Sequence, residues 1–355
     1  MTEPLVIALD LSPLIRDRLS PAAIRLLGIL GELAAPTSGI RPIGIAPAGV
    51  LPNLPSGVEI VATGRALSGP HAIGYTQFAL PRAAERAGAV IVLLVGSPPP
   101  LRSCLPVVVV DEENLERPSG VWGRLAEAAG KAALQFAPRV GGLADGGWPV
   151  GGRPDAWDPE PRTGLRLPCW EAGTTVLAHG VSRVELPLLL SAWTWVASAS
   201  DAQLVVLTAE PRIRDAIHIE SKQLGVAEAV VVPTDLEPRH VPWLYARARV
   251  LLLTGGPAGR SPACWAMASR VPVAAVDVPG LGALLGDAGY LVPPGDARAL
   301  GAACLSLLVD DRLSADLSDR GGRRIESLVS KSEVLPLADH LRRIIMASDS
   351  EARAT

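Results

Sequence analysis

The sequence predicts an α/β fold built from two successive parallel sheets with helices between their strands. Short apolar runs rich in Val, Leu and Ile alternate along the chain with longer Ala- and Leu-rich segments, a pattern typical of strand–helix–strand units. The chain has 355 residues, enough for two domains of ordinary size, and 48% of them are hydrophobic while only 4% are aromatic. We therefore expect two globular domains with largely aliphatic cores.

The first series of elements is expected within residues 1–150. "PLVIALDL" is predicted to be the first strand, and "SPAAIRLLGILGEL" a helix that Ser20 caps and that has Pro21 at its first position. "TQFALPRAAERAG" is predicted to be helical, and a further helix is expected from about Gly120 to Gln135. The remaining strands of this series are "GIRPIGIA", "VEIVAT", "AVIVLLVG" and "LPVVVVDEE".

A stretch crowded with Gly and Pro separates this series from the next. Residues 139–173 read "RVGGLADGGWPVGGRPDAWDPEPRTGLRLPCWEAG", in which no element of ordinary length fits. Such composition is typical of an interdomain linker, which we place at residues 151–173. The second domain is then expected at residues 174–330. Residues 331–355 follow as a C-terminal helix, "VLPLADHLRRIIMA", that crosses back to the first domain and ends in a frayed tail.

The second series repeats the alternation of strands and helices. Its predicted strands are "TTVLAHG", "AQLVVLTA", "AEAVVVP", "RVLLLTG" and "VPVAAVD". Its predicted helices are "RVELPLLLSAWTWVASA", "PRIRDAIHIESKQLG", "HVPWLYARA", "SPACWAMASR", "DARALGAACLSLLVD" and "RLSADLSDRGGRRIESLV". In parallel sheets, ligands bind beyond the carboxyl ends of the strands. Two such units joined by a linker imply a cleft between domains, with the loop after "RVLLL" beside it.

Composition excludes several classes of function. The formal net charge of −3 offers no basic excess for general binding to nucleic acid. The N-terminus shows no signal peptide, and the longest apolar runs are half the roughly 20 residues that span a bilayer, so we expect a soluble, cytoplasmic protein. The four cysteines form no CxxC pair and have no histidine at metal-ligand spacing, which favours buried free thiols and no metal site; they are Cys104, Cys169, Cys264 and Cys304.

The loop "TGGPAGRSP" has the composition of a phosphate-binding loop. Gly255 and Gly256 allow close approach of the backbone, and Arg260 offers a planar fork of N–H groups suited to phosphate oxygens. Ser261 is predicted to cap the following helix, with Pro262 at its first position, so that the free N–H groups of the helix would face the loop. The alternative is a Gly-rich turn before a helix that binds nothing.

The segment after this loop carries a resemblance to a known family. "RVPVAAVDVPGLGALLGDAGYLVPPGDARALGAACLSLLVDDRLSADLSDRGGRRIES" is similar to the nucleotide-sugar domain of retaining GT-B glycosyltransferases, the large group that includes sucrose synthases and bacterial mannosyltransferases. Upstream, "VPWLYARARVLLLTG" resembles that family's "LPxLYxxADVFVFPS". The resemblance implies the GT-B fold, with two Rossmann-like domains that face each other across a cleft. It also implies a nucleoside-diphosphate sugar as substrate, a carbohydrate or lipid acceptor, and no required metal or cofactor.

The family's functional side chains do not carry over to this sequence. Its two glutamates, in the pattern "EGFGLPVLEAMA", fall on Pro257 and Trp265. Its arginine and lysine after the first strand of the sugar-nucleotide domain fall on Val181 and Leu186, and the histidine of its N-terminal domain falls on Asp111. Removing one preorganised group that stabilises a transition state typically costs about 10²–10³ in rate. Several such losses together leave little catalysis unless other residues compensate.

A few polar residues remain as candidates for compensation. Asp111 and His179 are the candidate catalytic groups, each at the end of a predicted strand, and Glu112 follows the first of them. The residues that we expect to hold the phosphates of a sugar donor follow two predicted strands: Gly180, Arg183, Gly255, Gly256, Arg260 and Ser261. For each acid, an ordinary solvated loop residue is the competing interpretation.

Three functions are therefore compatible with the sequence. The first is a glycosyltransferase-like enzyme with an altered site, which transfers a sugar from a nucleoside diphosphate to a carbohydrate or lipid. The second is a catalytically silent relative that binds a nucleotide, a glycan or a partner glycosyltransferase as a regulatory or scaffold subunit. The third is an unrelated use of the two-domain cleft, such as an epimerase-like or small-ligand-binding protein.

Overall fold

The structure is a computed structural model that describes residues 4–67, 70–97, 99–100, 103–110, 174–331, 338–339, 341–343 and 345–346. The chain divides into two compact units. The first comprises residues 1–16, 22–151 and 332–355, and the second comprises residues 17–21 and 152–331. The predicted linker at residues 151–173 and the predicted helix from Gly120 to Gln135 lie outside the described residues.

The first unit contains a five-stranded parallel sheet. Its strands are β1 (Leu5–Asp10), β2 (Ile40–Ala46), β3 (Glu59–Ala62), β4 (Ile91–Val95) and β5 (Val107–Val110), in the spatial order β3-β2-β1-β4-β5. Its helices are α1 (Ser12–Arg16), α2 (Pro21–Leu33), α3 (Pro70–Gly74) and α4 (Leu80–Arg86), and one π-helical turn, Tyr75–Ala79, joins the last two. Helix α2 begins at Pro21, as the sequence predicts.

Both faces of the first sheet are buried. In β1, Ile7 and Leu9 enter one apolar cluster with α2, while Ala8 between them enters a second cluster on the opposite face. This alternation follows from the two-residue period of a strand in a sheet that is covered on both sides. From the C-terminal helical residues, Ala338 and Leu341 join the first of these clusters.

The second unit contains a six-stranded parallel sheet. Its strands are β6 (Thr175–His179), β7 (Gln203–Leu207), β8 (Val230–Val231), β9 (Val250–Leu253), β10 (Val273–Val276) and β11 (Gly289–Val292), in the order β11-β10-β9-β6-β7-β8. Its helices are α5 (Leu186–Ala197), α6 (Pro211–Gln223), α7 (Val241–Arg247), α8 (Arg260–Ala268), α9 (Pro279–Leu285), α10 (Ala297–Val309) and α11 (Asp311–Lys331).

Aliphatic side chains of this second sheet pack against α5 and α10. Trp193 lies in that core with none of its surface exposed, whereas Trp195, two residues further along the same helix, is 47% exposed and stacks under the guanidinium of Arg298. Residues two apart cannot share a helix face, so one tryptophan packs inward while the other covers the surface.

Candidate functional site

The order of strands in the second sheet locates its candidate ligand site. The chain begins in the middle of the sheet with β6, proceeds outward through β7 and β8, and then returns to the other side of β6 with β9. The connection therefore reverses direction between β6 and β9. In open parallel sheets, ligands bind beyond the carboxyl ends of the strands at such a reversal point. His179 ends β6, and Thr254 directly follows β9.

The carboxylate of Glu185 spans this reversal point. Glu185 directly precedes α5, and its Oε2 accepts the backbone N–H of Ser182 at 3.1 Å and the Ser182 hydroxyl at 2.5 Å. Its Oε1 accepts the hydroxyl of Thr254 at 2.8 Å. One negatively charged group thus links the loop after β6, through the Ser182 N–H and hydroxyl, to the loop after β9, through the Thr254 hydroxyl.

The glycine loop after β9 is fitted to that carboxylate. A Cβ atom added to Gly256 would come within 2.1 Å of the Glu185 Oε1. Its neighbour Gly255 has a φ of +89°, a conformation that side chains other than glycine rarely adopt. Both glycines were predicted to let a phosphate approach the backbone. In the structure the anion against this backbone is the chain's own Glu185.

His179 is fully engaged in hydrogen bonds. Burial lowers the pKa of His179 from 6.5 to about 4, so the ring is neutral at pH 7. Its Nε2 lies 2.6 Å from the carbonyl oxygen of Leu19, which can only accept, so Nε2 carries the proton. Nδ1 then accepts from the hydroxyl of Tyr245 at 2.9 Å. With its one lone pair bound, this ring has no free nitrogen to act as a general base.

Trp265, at the position of the family's second glutamate, is part of an aromatic cluster. Its ring lies 5.6 Å from that of His179 and 5.9 Å from that of Tyr245, the latter in an edge-to-face arrangement at 82°. The residue is 1% exposed. Edge-to-face rings at such distances attract one another in addition to the surface they bury. The position that holds an acid in the family is therefore an apolar packing position here.

Two other predicted phosphate-binding residues differ in placement: Gly180 lies beside Ala258 of the loop after β9, whereas Arg183 is paired on the surface. Arg183 forms an ion pair with Glu220 on the surface, away from the glycine loop's carboxylate. Gly180 has a φ of +76° at the end of β6. Asp111 and Glu112 lie outside the described residues.

The predicted N-cap of helix α8 is wrong by two residues. A short 3₁₀ turn, Pro257–Gly259, runs directly into α8, which begins at Arg260 with Gly259 at its N-cap. Ser261 is therefore buried inside the first turn and does not cap the helix. The 3₁₀ turn already directs the chain into a helical path, so no side-chain cap is needed to begin it.

Sequence reasoning missed Glu185, Thr254 and Tyr245. One local signal for Glu185 exists, since Ser182 and Glu185 have the Ser-x-x-Glu spacing in which a glutamate reaches back to a backbone N–H before a helix. Thr254 and Tyr245 act through partners that are distant in sequence, and the sequence holds no comparable signal for them.

The cysteines are free thiols in the described parts of the chain. Cys264 and Cys304 are buried, and burial raises the pKa of Cys304 to about 12. Cys104 is exposed, which corrects the prediction of a buried thiol there. Within the described ranges, no three His, Cys, Asp or Glu side chains come together as metal ligands. In the same ranges no helix has the length and apolarity to cross a membrane.

A comparison with models of known protein families finds a match within the second unit. Residues 174–310 match the family model for group 1 glycosyl transferases. The resemblance to glycosyltransferases seen in the sequence over this segment is therefore confirmed. A search of curated proteins finds no match.

Solved structures establish the GT-B fold for the chain. WaaG, a glycosyltransferase involved in lipopolysaccharide biosynthesis, superposes with a TM-score of 0.65 at 15% identity, over 96% of this chain and 99% of that one. HepE from Anabaena, solved with UDP and glucose, gives 0.59 at 14% identity over 99% of both chains. A putative UDP-N-acetylglucosamine 2-epimerase from Listeria monocytogenes gives 0.57 at 12% identity, over 92% and 95%. The predicted α/β class with two Rossmann-like domains is thus confirmed.

Proposed function

We propose that this chain is a catalytically silent relative of the group 1 glycosyl transferases, in which the scaffold serves as a regulatory or scaffold subunit. The observation that carries the proposal is the Glu185 carboxylate, which spans the reversal point between β6 and β9 and contacts the glycine loop. A sugar donor's diphosphate requires N–H and hydroxyl groups at such a loop. In this chain the Ser182 N–H and the hydroxyls of Ser182 and Thr254 already bind an anion.

Electrostatics opposes the entry of a second anion beside Glu185. Two like charges 4 Å apart repel by about 4 kcal/mol at the effective dielectric constant near a protein surface. An ionised carboxylate offers only acceptors, so it cannot hydrogen-bond phosphate oxygens. Arg183, the nearest basic residue that the sequence offered after β6, is paired with Glu220. Glu185 therefore both occupies the position and disfavours a competitor for it.

The catalytic positions support the same conclusion. Trp265 is packed against His179 and Tyr245, and His179 has both ring nitrogens bound. Neither group can stabilise a reacting sugar or take a proton from an acceptor hydroxyl. With Pro257 at the first glutamate position, both positions of the family's acidic pair lack a carboxylate.

A panel of UDP-, GDP- and ADP-sugars tests this proposal. We expect wild-type protein to hydrolyse none of them above the protein-free rate and to show no shift in melting temperature. Glu185→Gln has nearly the same shape without the charge, so we expect it to be stabilised by UDP in the same assay. Donor hydrolysis or sugar transfer by the wild type contradicts the silent function, whichever acceptor is used.

A transferase with an altered site is the second candidate function. Its support is the similarity to WaaG and to HepE, which was solved with UDP and glucose, over nearly the whole of each chain. In this alternative a nucleotide-sugar is the substrate, a carbohydrate or lipid is the acceptor, and Gly180, Arg260 and Ser261 hold the phosphates with the glycine loop. Turnover by the wild type that Arg260→Ala abolishes, at unchanged melting temperature, would favour it.

A further inference from the structure

A five-residue segment from the N-terminal part of the sequence belongs to the second unit. Asp17–Pro21 groups with residues 152–331, although the residues on either side of it belong to the first unit. Within the second unit it contacts the loops that follow β6, β7 and β8. These are the carboxyl ends of the strands, where an external ligand of a parallel sheet would bind.

Asp17 places a second internal carboxylate at this edge of the sheet. Its Oδ2 accepts the hydroxyl of Thr208 at 2.8 Å, and its Oδ1 accepts the backbone N–H of Ala209 at 2.8 Å. Burial raises the pKa of Asp17 above its ordinary value, while these hydrogen bonds and that from the Leu19 N–H act in the opposite direction. The loop between β7 and α6 thus binds an anion that the chain itself supplies.

This arrangement repeats that of Glu185. Thr208 directly follows β7 and Thr254 directly follows β9, and each hydroxyl donates at 2.8 Å to a carboxylate from elsewhere in the chain. In both sites a backbone N–H provides a further hydrogen bond. Two anion-binding positions at the carboxyl edge of one sheet are therefore filled internally.

Arg18 and Leu19 form further hydrogen bonds at this edge of the sheet. The Arg18 guanidinium donates to the carbonyl oxygens of Leu236 at 3.2 Å and Thr234 at 3.4 Å, in the loop that follows β8. The Leu19 carbonyl accepts from His179 at the end of β6. Three consecutive residues, Asp17, Arg18 and Leu19, thus form hydrogen bonds with groups at the carboxyl ends of three strands.

The glycine at the end of β6 is fitted to the same segment. A Cβ added to Gly180 would lie 3.1 Å from the Pro21 ring and 3.1 Å from Ala258. Contacts at that distance are tighter than ordinary packing, so the absence of a side chain at Gly180 makes room for Pro21. The sheet edge is shaped to hold this peptide.

We propose that Asp17–Pro21 is an internal ligand of the second unit, which occupies the carboxyl edge of its sheet and excludes a nucleotide from it. The inference extends the proposed function, since Glu185 fills the reversal point while Asp17 and Arg18 fill the neighbouring loops. The segment is therefore an autoinhibitory contact: ligand binding at this edge requires its displacement.

Titration with UDP tests the role of the segment separately from that of Glu185. The segment variant is Asp17→Asn with Arg18→Ala. Its matched control is Asp311→Asn with Arg249→Ala, which also changes one aspartate and one arginine and removes their ion pair. Arg249 directly precedes β9, so it lies at the opposite end of that strand from Thr254. Both double substitutions are made in a Glu185→Gln background, and UDP affinity is measured by calorimetry. Arg18 is only half-buried, so Arg18→Ala alone provides a folded second variant.

We expect the segment variant to bind UDP at least about tenfold more tightly than Glu185→Gln alone, since the Arg18 hydrogen bonds are removed and the Asp17 position loses its charge and one acceptor. Arg18→Ala alone should give a smaller gain in the same direction, and the control should change affinity by less than about twofold. Equal affinity in all variants, no binding in any, or an equal gain in the control overturns the proposal. Sugar transfer by the wild type contradicts the silent function but leaves this comparison of affinities intact.

Discussion

The hydroxyl of Tyr245 donates to Nδ1 of His179 at 2.9 Å, and both residues are buried. The Leu19 carbonyl fixes the tautomer of the imidazole, because it can only accept, so Nε2 carries the proton and Nδ1 accepts from Tyr245. It joins α7, β6 and the Asp17–Pro21 segment into one hydrogen-bonded chain. The stability of the second unit should therefore depend on a hydroxyl that is distant from His179 in sequence.

Tyr245→Phe tests this dependence. The substitution keeps the ring but removes the O–H group, leaving the buried Nδ1 of His179 without its hydrogen bond. We expect the free energy of unfolding to fall by about 1–3 kcal/mol, the usual cost of an unsatisfied buried polar atom. Urea unfolding followed by circular dichroism measures it. Tyr290→Phe, at a half-exposed tyrosine of the same unit, is the control and should change stability by less than about 0.5 kcal/mol.

Stability should depend on pH through His179. Burial lowers its pKa from 6.5 to about 4, so between these values the unfolded chain binds a proton that the folded chain does not. The contribution is fully present above pH 6.5 and is lost as the pH falls toward 4, by up to about 3 kcal/mol.

Comparison of wild type with His179→Gln isolates that contribution. The raised pKa of Asp17 makes stability change with pH in the opposite direction. This contribution is present in both proteins and cancels in the difference between them. The free energy of unfolding, measured at pH 7.5, 6 and 5, should change less with pH for the variant than for the wild type. A wild-type slope equal to that of His179→Gln would show that the imidazole is not held neutral.

Gly256→Ala should expose the fit between the glycine loop and Glu185. The φ of Gly256 is −68°, which alanine adopts freely, so any cost arises from the 2.1 Å approach of the new Cβ to the carboxylate. We expect a loss of roughly 2 kcal/mol in unfolding free energy. Gly259→Ala, whose Cβ would meet nothing closer than 3.8 Å, should be nearly neutral.

A double-mutant cycle assigns that cost to Glu185. In a Glu185→Ala background the crowded oxygen atoms are absent, and Gly256→Ala should then cost less than about 0.5 kcal/mol. An unchanged cost in that background would mean that some other group restricts the position.

A glutamate at position 265, as in the family's pattern, should destabilise the second unit. Trp265→Glu places a carboxylate among His179, Tyr245 and the core, in a position that is 1% exposed, and leaves a cavity where the indole was. We expect a loss of more than about 4 kcal/mol, seen as a lowered melting temperature or poor yield of folded protein. Trp265→Phe, which keeps an apolar ring, should cost about 1–3 kcal/mol. A stable Trp265→Glu protein would refute the packing role.

The sequence predicts the fold well because its strands are buried on both faces. Runs such as "RVLLLTG" and "VPVAAVD" are continuous in hydrophobicity, so each identifies a strand without reference to its partners. The exceptions are short or mixed elements: β11 and α9 lie within a segment that has no clear period, and β8 has only two residues. Local pattern is weakest where an element is brief.

The candidate site was less predictable, since its key contacts join distant residues. Gly256 lies against the Glu185 carboxylate, yet little in the local sequence identifies Glu185 as its neighbour. Asp17 is 191 residues from Thr208, and its burial in the second unit depends on which unit receives the Asp17–Pro21 segment. Composition and spacing show which groups a loop offers for binding. Which residue contacts those groups depends on the tertiary structure.

Thr208 and Thr254 hold the two internal carboxylates independently of which residues supply those carboxylates. The groups that hold the two internal carboxylates are threonine hydroxyls and backbone N–H groups, which persist whatever acid lies opposite them. Removal of either acid would therefore leave the groups that bind it in place. A single-base change in a glutamate codon can give glutamine or lysine, so one point mutation at Glu185 would remove the negative charge from the loop after β9.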